Sequence, residues 1–329
     1  MRHQHLLAAI LGTALSFGTC AHAADIDFES LKHRTTDTSA PVVYYTSDLS
    51  PEGLMKAYTA LGRELQGKVA VKLSSGEAGN NHYLQPALIK ELVQKYNGTI
   101  VECNTAYGGS RNSTAAHRQV MIDHGFAAIA PTDIMDAEGE MEIPVTGGSY
   151  LTNDIVGASL KNYDSMMVLS HFKGHAMGGF GGALKNISIG VASSHGKGLI
   201  HSGGDIRPRP EGADRQQAFI ECMAEAADAV SDYFDHGQSM TYVNVMNNLS
   251  VDCDCDSHPA APDMHDVGIL ASLDPVALDQ ACVDIVYAAP DGHSLIERME
   301  SRRGALILDH AEKMGLGHKN YQFVSLDEK

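Results

Sequence analysis

The chain has 329 residues, 43% of them hydrophobic and 20% charged, and a formal net charge of −17. That is enough apolar material to bury a full core, either as one large α/β domain or as two lobes around a cleft. The acidic balance excludes nucleic acid and anionic membrane as partners, because both would repel the chain; it also fits plain solubility.

The N-terminus reads as an export signal over residues 1–23. Basic Arg2 precedes the apolar run Leu6 to Phe17, and Ala21-His22-Ala23 gives a small-x-small cleavage site. The run is too short to span a bilayer, so cleavage leaves a chain with no membrane span, periplasmic or secreted. A lipoprotein alternative rests on Cys20, although Phe17-Gly18-Thr19 before it departs from the usual leucine-then-small pattern. Residues 24–40 are polar and read as a loose leader to a body over 41–329. Of the six cysteines, loss of Cys20 leaves an odd number, so in an oxidising compartment they cannot all pair within the chain.

The body alternates as a mixed or mostly parallel α/β fold with helices flanking the sheet. "KVAVKL" (68–73) is a buried-type strand, a helix opens near Pro86, "TIVECNTAY" (99–107) is a strand, and "STAAHRQVMIDHGF" is a helix ending near Gly125. "MEIPVT" is a further strand candidate and "SMMVLS" (165–170) a clear one. After the Pro-rich "IRPRPEG" comes the strongest helix, Asp214 to Phe234, with apolar residues at helical spacing. "MTYVNVMNNLS" (240–250) alternates like a strand. A helix starts at Asp274-Pro275 and a C-terminal helix runs from His293 to Met314.

Three segments could carry chemistry. "HFKGHAMGGFGGALKNISIG" (171–190) follows "SMMVLS" directly, so His171, Lys173 and His175 fall at a strand's carboxyl end, where α/β sheets bind ligands, and on one face if extended. Gly178, Gly179, Gly181 and Gly182 would let backbone approach a ligand, and the helix starting in "ALKNISIG" would offer free N–H groups to an anion. Lys185 could neutralise a carboxylate or anchor a cofactor. The plainer alternative is a glycine turn packing helix on strand. "SSHGKGLIHSGG" adds His195, Lys197 and His201. "CDCDSHPAAPDMHD" brings Cys253, Cys255, His258 and Asp266 together at a density suited to iron, nickel, zinc or copper. A Cys253–Cys255 disulfide, strained and redox-labile, or an acidic surface loop would also explain it.

The long segment "HFKGHAMGGFGGALKNISIGVASSHGKGLIH", with "CDC" and "DVGILASLDPVALDQAC" downstream and "NTAYGGSRNSTAAH" upstream, closely resembles the domain-of-unknown-function 362 family, whose members are often described as iron-sulfur-centre proteins. The resemblance covers nearly all of the chain after residue 40. The ferredoxin-type cysteine insert of many relatives is missing, which counts against an iron-sulfur cluster. A more distant similarity is to lactate racemase and its relatives, which use a nickel-pincer nucleotide. It implies His175 as acid/base, Lys185 as cofactor-anchoring amine and His201 as nickel ligand, around the loop through Gly182. The racemases' other catalytic histidine has no matching motif here, Asn186 and "CDC" belong to the first family, and the N-terminus lacks the twin-arginine pair that export of a preloaded protein would need. These departures favour a metal acquired after export over the pincer.

The sequence therefore implies an exported metal- or metallocofactor-binding protein, an enzyme acting on a small acidic metabolite by redox or isomerase chemistry. His175, Lys185 and Lys173 are its catalytic candidates. Gly178, Gly179, Gly181, Gly182 and Asn186 would hold the cofactor, and His171, His201, Cys253, Cys255, His258 and Asp266 a transition metal. The alternatives are a periplasmic metal-binding or electron-transfer protein with a redox partner and no substrate, and an anion-binding glycine loop beside a structural disulfide.

Overall fold

The computed structural model describes residues 26–328; the expected export signal, its cleavage site and Cys20 lie outside them. In chain order the first half comprises β1 (Val42–Thr46), α1 (Pro51–Ala60), β2 (Val69–Lys72), α2 (Pro86–Lys95), β3 (Thr99–Glu102), α3 (Thr114–Asp123), β4 (Thr132–Ile134), β5 (Glu140–Pro144) and β6 (Asn153–Gly157). The second half comprises β7 (Ser165–His171), β8 (Lys173–His175), β9 (Gly179–Gly181), α4 (Ala183–Ile187), α5 (Ser194–His201), α6 (Arg215–Tyr233), β10 (Met240–Met246), β11 (Gly268–Ser272), α7 (Pro275–Ala288), α8 (His293–Ser301), α9 (Leu306–Met314) and β12 (Gln322–Ser325).

Eight strands form one continuous sheet in the order β12-β1-β11-β10-β7-β2-β3-β4. The run from β10 to β4 is parallel, while β11 lies antiparallel to both β1 and β10. The sheet is thus mixed and mostly parallel, with helices on both faces. Alternation along the central strands divides the core. Val71, Leu169, Val243 and Ile269 face one layer with Leu54 of α1 and Leu92 of α2. Ala70, Val168, Tyr242 and Leu270 face the other with Ile187, Phe219 and Val276 of α4, α6 and α7.

The chain runs from β2 outward to β3 and β4, then returns to place β7 on the other side of β2 and continues to β10. The topological switch point therefore lies between β2 and β7, and ligands of open α/β sheets gather outside the carboxyl ends of strands at such a point.

Several sequence expectations change. Residues 26–40 are no loose leader: Ile26 and Leu31 are buried, and the Phe28 ring packs against Tyr45 and Phe323. The strand at Thr99 stops at Glu102, where the chain turns to bring Arg111 back onto that carboxylate. "MEIPVT" contributes β5, which pairs only with β6 in a separate ribbon. The C-terminal helix is broken into α8 and α9, with Gly304 in the break. There the Gly304 backbone packs on Gly178 and Gly179, so close that a Cβ on Gly179 would sit 2.9 Å from the Gly304 Cα. Among the described residues no helix is long and apolar enough to cross a membrane.

Candidate functional site

A cavity of about 140 Å³ lies at the carboxyl ends of β2, β3 and β7, bordered also by α4, α5 and the 253–255 loop. By the volume one water needs, that is room for about ten. Its wall is strongly cationic for so acidic a chain. Lys72, Arg111, Lys173, Lys185 and Lys197 line it, against the carboxylates Glu102 and Asp254.

Two of these cations are internally neutralised. Arg111 donates to Glu102 at 3.1 Å and to Glu77 at 3.4 Å, and Glu102 also meets the His117 Nε2 at 3.2 Å. Burial works against the Glu102 charge, but His117, Arg111 and Lys72 together hold its carboxyl far below the ordinary range. Lys173 donates to Asp254 at 2.8 Å, and His171 Nδ1 reaches the same carboxylate at 2.9 Å. Against burial, His171 and Lys173 bring the Asp254 carboxyl down to about 2.

The other three, Lys72, Lys185 and Lys197, make no ion pair among the described residues. Lys72 donates to the Leu73 carbonyl at 2.5 Å and to Asn186 Oδ1 at 2.9 Å, and Lys197 to the Ala192 carbonyl at 2.6 Å. Lys185 has no hydrogen-bond partner among the described residues. Burial, then repulsion from Lys72, Arg111 and Lys197, lowers its ammonium to about 8, and burial likewise lowers Lys72 to about 8. Three lysines without an ion pair in one cavity favour an anion there.

The three histidines differ in what their ring nitrogens can do. His171 places Nε2 2.7 Å from the Asn247 carbonyl while Nδ1 faces Asp254. Both partners are acceptors, so both nitrogens donate and no lone pair is left for a metal. His171 accordingly braces Asp254 and the Asn247 carbonyl, which engages both ring nitrogens away from the expected ligand role. At His175, Nδ1 accepts from the backbone N–H of Gly178 at 2.8 Å and of Met177 at 3.2 Å, which puts the proton of the neutral ring on Nε2. At His201 the order is reversed: Nδ1 donates to the Lys197 carbonyl at 2.6 Å, which leaves the lone pair on Nε2. Burial keeps both rings neutral by lowering their basicity, strongly so at His175. The His201 ring is also stacked on Phe219, with centroids 4.8 Å apart.

The glycine-rich loop divides as well. Gly181 and Gly182 line the cavity, whereas Gly178 and Gly179 serve the packing on Gly304. The α4 N-terminus is not free for an anion, because Asp279 of α7 accepts from Ala183 N–H at 2.7 Å and Leu184 N–H at 2.9 Å. Asn186 borders the cavity but spends its amide on the fold. Its Nδ2 donates to the Lys72 and Leu169 carbonyls at 3.2 Å and to Ser170 Oγ at 3.0 Å, so it clamps α4 across the switch point.

Cys253 and Cys255 line the cavity and are joined by a disulfide. Their sulfurs and a ring nitrogen of His175 lie within 4.8 Å of one another, a possible metal site. Disulfide sulfurs are not thiolate donors, so the expected ligand role of the two cysteines belongs to the reduced pair. His258 and Asp266 stand outside this group. His258 is exposed beside Ser257, and exposed Asp266 accepts from Asn248 N–H at 2.7 Å.

A family model described as Domain of unknown function (DUF362) matches residues 69–284. The chain belongs to the DUF362 family. The matched span contains every residue lining the cavity of this DUF362 protein, from Lys72 to Cys255. Among solved structures it is similar to the lactate racemase apoprotein of Thermoanaerobacterium thermosaccharolyticum, at 14% identity and a TM-score of 0.44, over 74% of this chain and 57% of that one. A Thermotoga maritima protein solved by structural genomics is similar at 13% identity and a TM-score of 0.40, over 73% of this chain and 59% of the other. The DUF362 chain thus spans less than two thirds of the length of either. No curated protein matches it.

Sequence reasoning misses the carboxylate Glu102 and the cation Lys72 of this DUF362 cavity, and sees Asp254 only as one acidic residue of the "CDCDSHPAAPDMHD" segment. One signal is available for Lys72: a lysine in the otherwise apolar "VAVK" must end at a strand's polar edge or in a site.

Proposed function

We propose that this protein is an enzyme that binds a small carboxylate in the cavity and acts on it with the help of a transition metal held by His201, by isomerase or redox chemistry. One observation carries the reading: His175 and His201 face one cavity with opposite proton positions, beside an unpartnered lysine. His201 fits a metal ligand, since a backbone carbonyl fixes its Nδ1–H and turns out the Nε2 lone pair, the usual support of ligating histidines. A metal there would supply Lewis acidity toward a substrate oxygen.

The chain's own residues do the rest. Lys185, with Lys72 and Lys197 behind it, takes the substrate carboxylate. His175 cannot accept a proton at Nε2, which already carries one, and its Nδ1 is held by two backbone donors. It therefore acts as a neutral hydrogen-bond donor that polarises a carbonyl or hydroxyl oxygen, rather than as the proton-transferring acid/base expected from the sequence. Lys173, tied to Asp254, positions the 253–255 loop instead of binding substrate. We place the working protein outside the cytoplasm, where the N-terminal pattern would send it and where a metal ion can be acquired after folding.

A second reading, a metal-binding or electron-transfer protein without substrate, rests on the closeness of His175, Cys253 and Cys255. Elemental analysis of protein purified without chelator or histidine tag separates the two. About one equivalent of metal should be present in the wild type and in the Cys253→Ser, Cys255→Ser double variant and be lost in His201→Ala. Metal that follows the cysteines instead would transfer the centre to the second reading. Absence from every preparation would sink both.

A further inference from the structure

The Cys253–Cys255 disulfide borders the cavity and is only partly buried, whereas Cys103, Cys222 and Cys282 are buried and unpaired. A bracing disulfide acts chiefly by closing a long loop of the unfolded chain. This one encloses a single residue, Asp254, which His171 and Lys173 already fix. The bond therefore contributes little to holding the loop in place.

Its surroundings favour a sulfur anion. The Cys255 backbone N–H donates to Cys253 Sγ at 3.3 Å, and a ring nitrogen of His175 lies within 4.8 Å of both sulfurs. With Nδ1 engaged by the backbone, the nitrogen of His175 that can donate is Nε2. Lys72, Lys185 and Lys197, which make no ion pair among the described residues, add positive charge to the same cavity. The mouth lies beside the bond: Tyr107 lines the cavity, is 43% exposed, and donates from its hydroxyl to the Cys255 carbonyl at 3.4 Å.

We propose that Cys253–Cys255 is a redox-active disulfide that exchanges with an external dithiol at the cavity mouth. The thiolate of the reductant attacks Cys255 Sγ and forms a mixed disulfide. The Cys253–Cys255 bond breaks, and its electron pair leaves on Cys253 Sγ, where the Cys255 N–H and the His175 Nε2–H stabilise the thiolate. The reductant's second thiolate then attacks its own sulfur in the mixed disulfide, releasing Cys255 as a thiolate and the reductant as a disulfide. Two electrons pass to the protein, and the two protons of the dithiol go to water. The step requires neither metal nor substrate, so it stands or falls separately from the function proposed above.

The test is a thiol count by intact mass on chelator-treated full chain purified without reductant, after exposure of the native protein to dithiothreitol at neutral pH, acid quenching, and alkylation in denaturant. Two additional alkylated thiols should appear with an unchanged circular dichroism spectrum and disappear again in oxidised dithiothreitol. His175→Ala should slow the reduction about tenfold or more, and His175→Gln, which keeps an N–H donor, should recover part of the rate. Thiols already free before reductant is added, or a bond that opens only when the chain unfolds, would overturn the proposal. Equal rates in wild type and both His175 variants would overturn the part given to His175.

Discussion

The Lys185 amine has three cationic neighbours and no hydrogen-bond partner among the described residues, and its ammonium is lowered to about 8. A bound anion would favour the charged form, so binding should take up protons where the free amine is partly neutral. Affinity for a small dianion such as oxalate should then fall as pH rises past about 8, because more amine must be protonated on binding. Lys185→Met should weaken oxalate binding about tenfold or more at pH 7, by the loss of one charge-assisted contact, and flatten that pH dependence. Calorimetry across pH reads both, and an unaltered profile in the variant would remove Lys185 from the site. Much of this residue-scale picture is open to sequence reading, because His171, Lys173, His175, Lys185 and His201 arrive on one short segment. What is hidden is the state of each group. Whether His171 has a lone pair depends on Asn247 and Asp254, about eighty positions away, and no local pattern encodes those partners.

At the scale of elements, the glycine-rich turn and the break between α8 and α9 are one packing unit. Gly179 has φ of 83°, and a Cβ there would meet Gly304 Cα at 2.9 Å. Gly179→Ala combines backbone strain with a backbone clash, and should cost roughly 2–4 kcal/mol in urea unfolding, with metal binding retained in the protein that remains folded. A loss of metal without a loss of stability would instead make Gly179 part of the site. Periodicity locates β2, α2, α3, β7, α6, β10 and α7 well, because each has a clear apolar face or a bounding Pro, Gly or Asp. It misreads His293 to Met314 as one helix, since both halves carry helical spacing and only the contact with Gly178 and Gly179 explains the break. It also gives no warning that Asp279, on a helix that reads as ordinary core, caps α4. Burial raises the Asp279 carboxyl to about 6, and it is held by Ala183, Leu184 and Asn244.

For the whole molecule, the unpaired lysines make stability rise with pH, while the buried thiols of Cys103, Cys222 and Cys282, which burial holds protonated, work the other way. Lys72 and Lys185 titrate near 8 when folded, against about 10.4 when unfolded. Between those values the unfolded chain binds more protons, so these groups make stability rise with pH. Measured against Lys185→Met, anion-free, chelator-treated wild type should therefore gain in thermal midpoint from pH 8 to 9.5, and saturating oxalate should suppress the gain. A difference between wild type and variant that does not change over this interval would show that the Lys185 amine titrates as it does in the unfolded chain.

The first strand of the sheet, β1, pairs only with β11 and β12, which belong to the last quarter of the chain. Among the described residues nothing made earlier offers it a hydrogen-bonded edge, and the switch-point cavity likewise waits for Asp254 and for the Asp279 cap on α4. Taken in chain order, the sheet grows from β2, β3 and β4 through β7, β10 and β11 before β1 can join it, a topology of high contact order that folds slowly. A polypeptide arranged this way leaves β1 waiting for a partner strand until β11 has been synthesised.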